Sequence, residues 1–351
     1  MSAKINIHAT AEHCLPRIES AMEDFLKRSE QEGIRFNAEM TRYHLASGGK
    51  RLRALMPCWV FEACGKDPMA AISLGCALEM VHNATLVHDD LQDGDVMRRG
   101  FPTVWKKWSP AQAINCGDVM FQFALELLLE QPMEASTARS ITRRFLTGIS
   151  QVIEGQAQEF LLKDEELPTL ARYIQVVEGK TAALVATALS IAVQALGKDK
   201  RVIADVEQAG MDLGVLFQMQ DDVLDVYGDK GRDQKATDIA EGKISILVAQ
   251  CLESANSSDQ MRILEVLRKP REQTSAQEIS EVVALFDRYE TLSKVLSKIA
   301  ELRSRIANLE LKTTEPKLHA LLVDLGELFL KPIAHLVEAA PPLRSSKEIR
   351  S

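Results

Sequence analysis

The 351-residue chain has no C-x-x-C pair, no long basic block, no alternating β-branched run and no Pro/Ser-rich linker. Each absence excludes something. Six cysteines (Cys14, Cys58, Cys64, Cys76, Cys116 and Cys251) are scattered without metal-ligand spacing. They read as reduced thiols of a cytoplasmic protein, not as a zinc site. A net charge of −8 with no basic stripe argues against nucleic acid as a partner. The opening MSAKINIHATAEHC lacks the apolar core of a signal peptide. The most membrane-like stretch, TAALVATALSIAVQALG at 181–197, is short for a span and carries Thr187, Ser190 and Gln194. It reads as a buried core helix, so no integral membrane segment is expected.

What the chain does have is apolar material, 46 % of its residues, arranged with helical periodicity from end to end. That pattern predicts helices near 15–32, 36–47, 51–65, 68–93, 110–130, 134–163, 169–196, 201–226, 242–254, 276–309 and 315–338. Loop chemistry separates them: SGGKR around Gly48 and Gly49, RRGFPTVW around Gly100, YGDKGRDQKATD from Tyr227 to Asp238, and ESANSSDQ from Glu253 to Gln260. With no linker and no fixed-period repeat, one all-α domain over 1–351 is expected, with 1–12 and 340–351 as flexible termini.

Two aspartate clusters interrupt this apolar background. Asp89, Asp90 and Asp93 form D-D-x-x-D, and Asp221, Asp222 and Asp225 repeat the spacing. At about 3.6 residues per turn, positions i and i+4 share a helix face, so each cluster stacks two carboxylates with a third beside them. Stacked like charges cost about 0.3 kcal/mol per pair in water and more when partly buried. A solvated acidic face explains one such cluster; two identical ones in apolar helices point to divalent cations. Hard oxygen donors suit Mg²⁺, which takes one or two carboxylates plus substrate phosphates. Asp95 falls outside the spacing.

Cationic groups answer a different charge. Arg98 and Arg99 follow the first cluster and suit phosphate recognition. GGKRLR places Lys50, Arg51 and Arg53 at a helix start, where exposed amides attract anions. Two cationic groups and two metal-type clusters suggest two phosphorylated substrates held by different means. His82 lies two turns before Asp89. Lys180 and Thr181 open the most apolar helix, and a desolvated lysine needs a partner. Gln218 and Gln220 precede the second cluster, and Lys235 and Lys243 flank Asp238. His44 and His88 read as satisfied core residues.

In this order and spacing, GGKRLR, HDDLQDGDVMRRGFPTVW, GKTAAL and FQMQDDVLDVYGD…DIAEGK resemble the trans-isoprenyl diphosphate synthases over roughly residues 40–330. The resemblance implies the isoprenoid synthase fold, a large helical bundle around a catalytic cavity, in a homodimer. It implies a prenyltransferase that joins an allylic diphosphate (dimethylallyl, geranyl or farnesyl) head-to-tail to isopentenyl diphosphate. It implies Asp89, Asp90, Asp93, Asp221 and Asp225 as ligands of Mg²⁺, about three ions with substrate bound. Asp222 and Lys180 complete the catalytic set. Arg98, Lys180, Lys235 and Lys243 would hold the allylic diphosphate. Lys50, Arg53, His82 and Arg99 would hold isopentenyl diphosphate, with Thr181 and Gln218 lining the reacting centre. RDQKATD departs from the family's usual G-K-x-x-G-x-D, and Trp105 stands where many members have histidine.

In this family the cavity floor beneath the first motif sets product length. Here Ala84 and Thr85 are small, which favours a product of C20 or longer, although Val81, Met80, Phe121, Phe123 or Phe145 could stop the chain deeper down. Three alternatives are a farnesyl (C15) diphosphate synthase, a class I terpene cyclase and a non-catalytic partner subunit. The second D-D-x-x-D with Lys50 and Arg53 argues against the cyclase. Complete aspartate sets argue against the subunit.

Overall fold

The computed structural model describes residues 5–228 and 236–339. In chain order its helices begin with α1 (Ile7–Gln31), α2 (Arg35–Ala46), α3 (Leu52–Ala63) and α4 (Ile72–Gln92). A hairpin of β1 (Met97–Arg98) and β2 (Phe101–Pro102) follows. Next come α5 (Val104–Lys107), α6 (Pro110–Leu129), α7 (Ala135–Asp164) and α8 (Leu170–Val177). A π-helical turn, Glu178–Ala182, leads into α9 (Ala183–Ala195) and then α10 (Lys200–Tyr227). The chain closes with α11 (Thr237–Ala240), α12 (Ile246–Ser254), α13 (Ser257–Leu267), α14 (Ala276–Arg288), α15 (Thr291–Ala307), α16 (Leu311–Thr314), α17 (Pro316–Leu330) and α18 (Ala334–Ala339).

The chain forms two compact units, Met1–Ser150 with Leu184–Gly210 and Thr313–Leu321, and Gln151–Ala183 with Met211–Lys312 and Leu322–Ser351. In the first, α4 packs chiefly on α6 and α3, around fully buried Trp59, Phe123, Leu74 and Leu78. In the second, α12 packs on α15 and α8, with Val223, Phe286 and Ile299 buried.

Local signals explain most boundaries. Asn6 caps α1 by accepting from Ala9 N at 3.1 Å, so the helix begins at Ile7 and not near 15; the expected flexible stretch 1–12 is already helical from there. The remainder of both expected flexible termini, 1–4 and 340–351, lies outside the described residues. Ser109 caps α6, with Pro110 in its first turn. Asn256 accepts from Asp259 N at 3.0 Å and starts α13, a helix where ESANSSDQ had read as loop. The helix expected over 276–309 is two helices, because Glu290 adopts φ 52° between α14 and α15. No glycine or proline marks that break.

Two helical stretches, Pro68–Gln92 and Leu170–Ala195, are long and apolar enough to cross a membrane. Their apolar windows are 67 % and 78 % buried inside the protein, so each serves as core.

Candidate active site

The first aspartate cluster ends α4. Asp89 is half-buried, Asp93 is exposed, and Thr85 lies one turn before Asp89 on the same side of the helix. Asp90 points the other way and is 1 % exposed. Its Oδ1 accepts from Arg98 Nε at 2.7 Å and from Arg98 Nη2 at 2.6 Å. Burial raises the Asp90 pKa against the pull of Arg98. This corrects the expectation that Arg98 stands apart from the aspartates: its guanidinium is already committed to one of them. Asp90 Oδ2 is buried with no partner.

The reason lies in the hairpin. Arg99 and Gly100 form its two-residue turn with φ 52° and 83°, the setting such hairpins require. The turn sends Arg98 back to Asp90 and Arg99 across to the glycine loop before α3, where Arg99 Nη1 donates to Gly48 O. Gly49 is favoured here by its φ of 142°, a backbone conformation that side-chain-bearing residues rarely adopt. Nearby, Arg53 Nη1 lies 3.3 Å from His82 Nε2. Burial and the Arg53 charge hold the His82 pKa well below its usual value, so the ring is neutral and Nε2 accepts. Three predicted residues are thus engaged, Arg99 with the loop bearing exposed Lys50, and Arg53 with His82. The first turn of α3 has no side-chain cap.

Arg51 belongs elsewhere, a correction to its grouping with Lys50 and Arg53. It is 4 % exposed and faces the interior. Its backbone is left-handed at φ 49°, a setting that costs a non-glycine residue about 1 kcal/mol.

In the second cluster, at the end of α10, Asp221 is half-buried while Asp222 and Asp225 are buried. Asp222 is a hub. It accepts from Tyr173 Oη at 2.6 Å, Gln218 Nε2 at 2.8 Å, Ile246 N at 2.8 Å and Lys243 Nζ at 3.4 Å. Asp225 accepts from Thr237 Oγ1 at 2.7 Å and from Asp238 N at 3.0 Å, joining α10 to α11. Lys243 also lies 3.4 Å from Asp238. Burial opposes the Lys243 charge, yet Asp222 and Asp238 keep its pKa well above the usual lysine range. Thr181 Oγ1 donates to Gln218 Oε1 at 3.0 Å, which places both predicted reacting-centre residues together. Lys180 has the partner its position demands, Glu159. Lys235 lies outside the described residues.

Sequence reasoning missed Glu159, Tyr173 and the π-helical turn that carries Lys180 and Thr181. Such turns recur at functional sites because they shift side chains off the regular helical register. Its approach to α7 demands Gly155, where a Cβ would stand 2.1 Å from Lys180 N.

Of the length-setting candidates, Val81, Ala84 and Phe145 are fully buried. Met80 is buried too, and Phe123 packs edge-on to Phe25 at 5.2 Å. Thr85 is half-buried, its hydroxyl on His82 O at 2.8 Å. Half-buried His88 leans on Phe121, with ring centroids 6.0 Å apart. His44 is buried as expected, and burial beside Arg98, Arg99 and Arg51 pushes its pKa down to about 3, but its Nε2 has no partner.

Among the described residues, no three His, Cys, Asp or Glu side chains form a ready cage for a metal. The donor set still fits Mg²⁺. It consists of hard carboxylate oxygens in pairs, with the buried Oδ2 of Asp90 lacking any protein donor. Mg²⁺ characteristically completes such sets with water and substrate phosphate.

Comparison with known proteins agrees. The polyprenyl synthetase family model matches residues 35–286. A short chain isoprenyl diphosphate synthase of Methanothermobacter thermautotrophicus is 32 % identical over 247 residues, covering 70 % of this chain and 74 % of its own length. A geranylgeranyl diphosphate synthase of Saccharolobus solfataricus is 34 % identical over 251 residues, covering 70 % and 76 %. The crystal structure of a geranylgeranyl pyrophosphate synthetase from Pyrococcus horikoshii superposes with TM-score 0.81 at 25 % identity, over 93 % of this chain and 98 % of that one. The chain belongs to the polyprenyl synthetase family, with its all-α isoprenoid synthase fold. It is a trans-prenyltransferase, and its reaction is prenyl chain elongation.

Proposed function

We propose that this enzyme condenses an allylic diphosphate with isopentenyl diphosphate to give an all-trans product of C20 or longer, in a cytoplasmic homodimer with Mg²⁺ as cofactor. The observation that carries this reading is the hydrogen bonding of Arg99 to Gly48, in the loop that bears Lys50, and of Arg53 to His82, which links three separate sequence segments around one predicted anion site. A terpene cyclase, which ionises a single diphosphate, has no use for such a site.

Asp89, Asp90, Asp93 and Asp221 are the residues that would hold Mg²⁺, with Asp225 as a further ligand after its hydrogen bonds rearrange. When bound, the metal would neutralise the departing diphosphate and favour ionisation of the allylic C–O bond. Lys180 and Lys243 bind the same diphosphate as cations, joined by Arg98 from its seat on Asp90, and Lys235 is proposed as a fourth. Lys50, Arg53, Arg99 and neutral His82 hold the second diphosphate so that its alkene meets the allylic carbon. Thr181 and Gln218 present oxygen dipoles toward the developing carbocation. Asp222 acts by holding Gln218 and Lys243, without touching substrate. The reaction requires that water be kept from the cation, and the proton lost on closing the new double bond goes to the released diphosphate. Exposed Ile114 and Leu129 on α6 supply apolar surface for a second copy to cover.

With Mg²⁺ and radiolabelled isopentenyl diphosphate, the purified protein is expected to extend dimethylallyl, geranyl or farnesyl diphosphate. No incorporation with any primer would sink the synthase reading. Product chromatography reads the length in the same assay. Thr85 is the one small residue of the length-setting group that is not fully buried and that shares a face with Asp89. Thr85→Phe is expected to shorten the main product by at least one five-carbon unit. An unchanged product distribution would remove Thr85 from the cavity wall.

A further inference from the structure

We infer that Arg51 is the positioning residue of the isopentenyl diphosphate site: without touching substrate, it locks the backbone that aims Lys50, Arg53 and the first amides of α3. The inference rests on the proposed function of that site and adds a residue to it.

The three cations of GGKRLR have separate fates. Lys50 is exposed, Arg53 is half-buried beside His82, and Arg51 alone turns inward. Its guanidinium reaches three helices at once. Nε donates to Glu19 Oε1 on α1 at 2.7 Å, Nη2 to Leu45 O on α2 at 2.7 Å, and Nη1 to Glu79 Oε1 on α4 at 3.3 Å. Glu79 is fixed in turn, accepting from Asn83 Nδ2 at 3.1 Å. Asn83 immediately follows His82 on α4, so the same helix carries the acceptor of Arg53 and the anchor of Arg51.

The backbone explains why an anchor is needed. Gly48, Gly49 and Arg51 have φ values of 87°, 142° and 49°. Glycine takes such values freely, but an arginine there relaxes unless its side chain is held. Relaxing φ at Arg51 would swing Lys50 on one side and Arg53 on the other, and would re-aim the uncapped N-terminus of α3. Arg99 holds the loop at Gly48, and Arg51 holds it at the helix entry. The planar guanidinium suits three acceptors in fixed directions, whereas an ammonium on a flexible stem does not.

Arg51→Lys tests this by steady-state kinetics with each substrate varied in turn, alongside thermal unfolding. The KM for isopentenyl diphosphate is expected to rise about tenfold or more, while the KM for the allylic diphosphate stays within about twofold and kcat within about threefold. Glu79→Gln, which leaves Arg51 present but removes one anchoring charge, is expected to give the same one-sided effect at smaller size. It carries the test alone if Arg51→Lys does not fold. Equal rises in both KM values, or a lower melting temperature with both unchanged, would overturn the inference. A wild-type enzyme that incorporates no isopentenyl units would instead overturn the function on which the inference rests.

Discussion

Asp89→Ala is expected to lower kcat/KM for chain elongation by at least about 100-fold, close to 3 kcal/mol of transition-state stabilisation, with the fold intact. Asp89 is half-buried near the C-terminal end of α4, so its loss opens no core cavity. What it removes is a hard oxygen donor from a set that has few to spare, since no three-residue cage exists among the described residues. Asp95→Ala is the control. It lies outside the D-D-x-x-D spacing, and the hydrogen bonds it accepts from Thr103 Oγ1 and Trp105 Nε1, both 2.8 Å, go to its backbone oxygen, which survives the substitution. The Asp95 variant is expected to stay within about threefold of wild type, well below the scale of losing a main electrostatic group. Near-normal turnover in Asp89→Ala, or equal losses in both variants, would contradict the assignment of Asp89 to the metal.

How much of this was legible follows from the range of the forces involved. The aspartate clusters were readable because their chemistry rests on spacing along one helix, where i and i+4 meet regardless of tertiary context. The need of Lys180 for a partner was readable from desolvation, but the identity of Glu159, 21 residues away, was not. The helix pattern survived almost everywhere, since burial and period are local to each element. It failed at Glu290, where a non-glycine takes φ 52°, and at ESANSSDQ, where one asparagine cap outweighs a polar run. Within GGKRLR, nothing in the composition separates Arg51 from Arg53. Their opposite destinations arise from one left-handed residue and from carboxylates 32 and 28 positions away. The ion pair of Arg98 with Asp90 was not legible for the same reason: the hairpin that returns Arg98 to Asp90 is two residues per strand, too short to leave a periodic signal.

Asp222→Ala is expected to be the most damaging single substitution for stability, costing about 3–5 kcal/mol, as loss of one partner of a buried charge pair does. Asp222 is fully buried and its two oxygens serve four donors from four places in the chain: Tyr173 on α8, Gln218 on α10, Lys243 in the loop before α12, and the first amide of α12 at Ile246. Alanine leaves the tyrosine hydroxyl and the Ile246 amide buried without acceptors, each costing about 1–3 kcal/mol. Lys243 loses one of its two carboxylates and is left with Asp238. Asp222→Asn separates charge from shape. The amide keeps an acceptor oxygen for one of the strong donors but turns an NH₂ toward another, and it no longer compensates Lys243, so an intermediate loss is expected. Urea unfolding of the three proteins measures the order, with the midpoint falling from wild type to asparagine to alanine. An alanine variant that unfolds at the wild-type midpoint would show that the four donors find other acceptors, and Asp222 would then have to be sought among the groups that touch substrate.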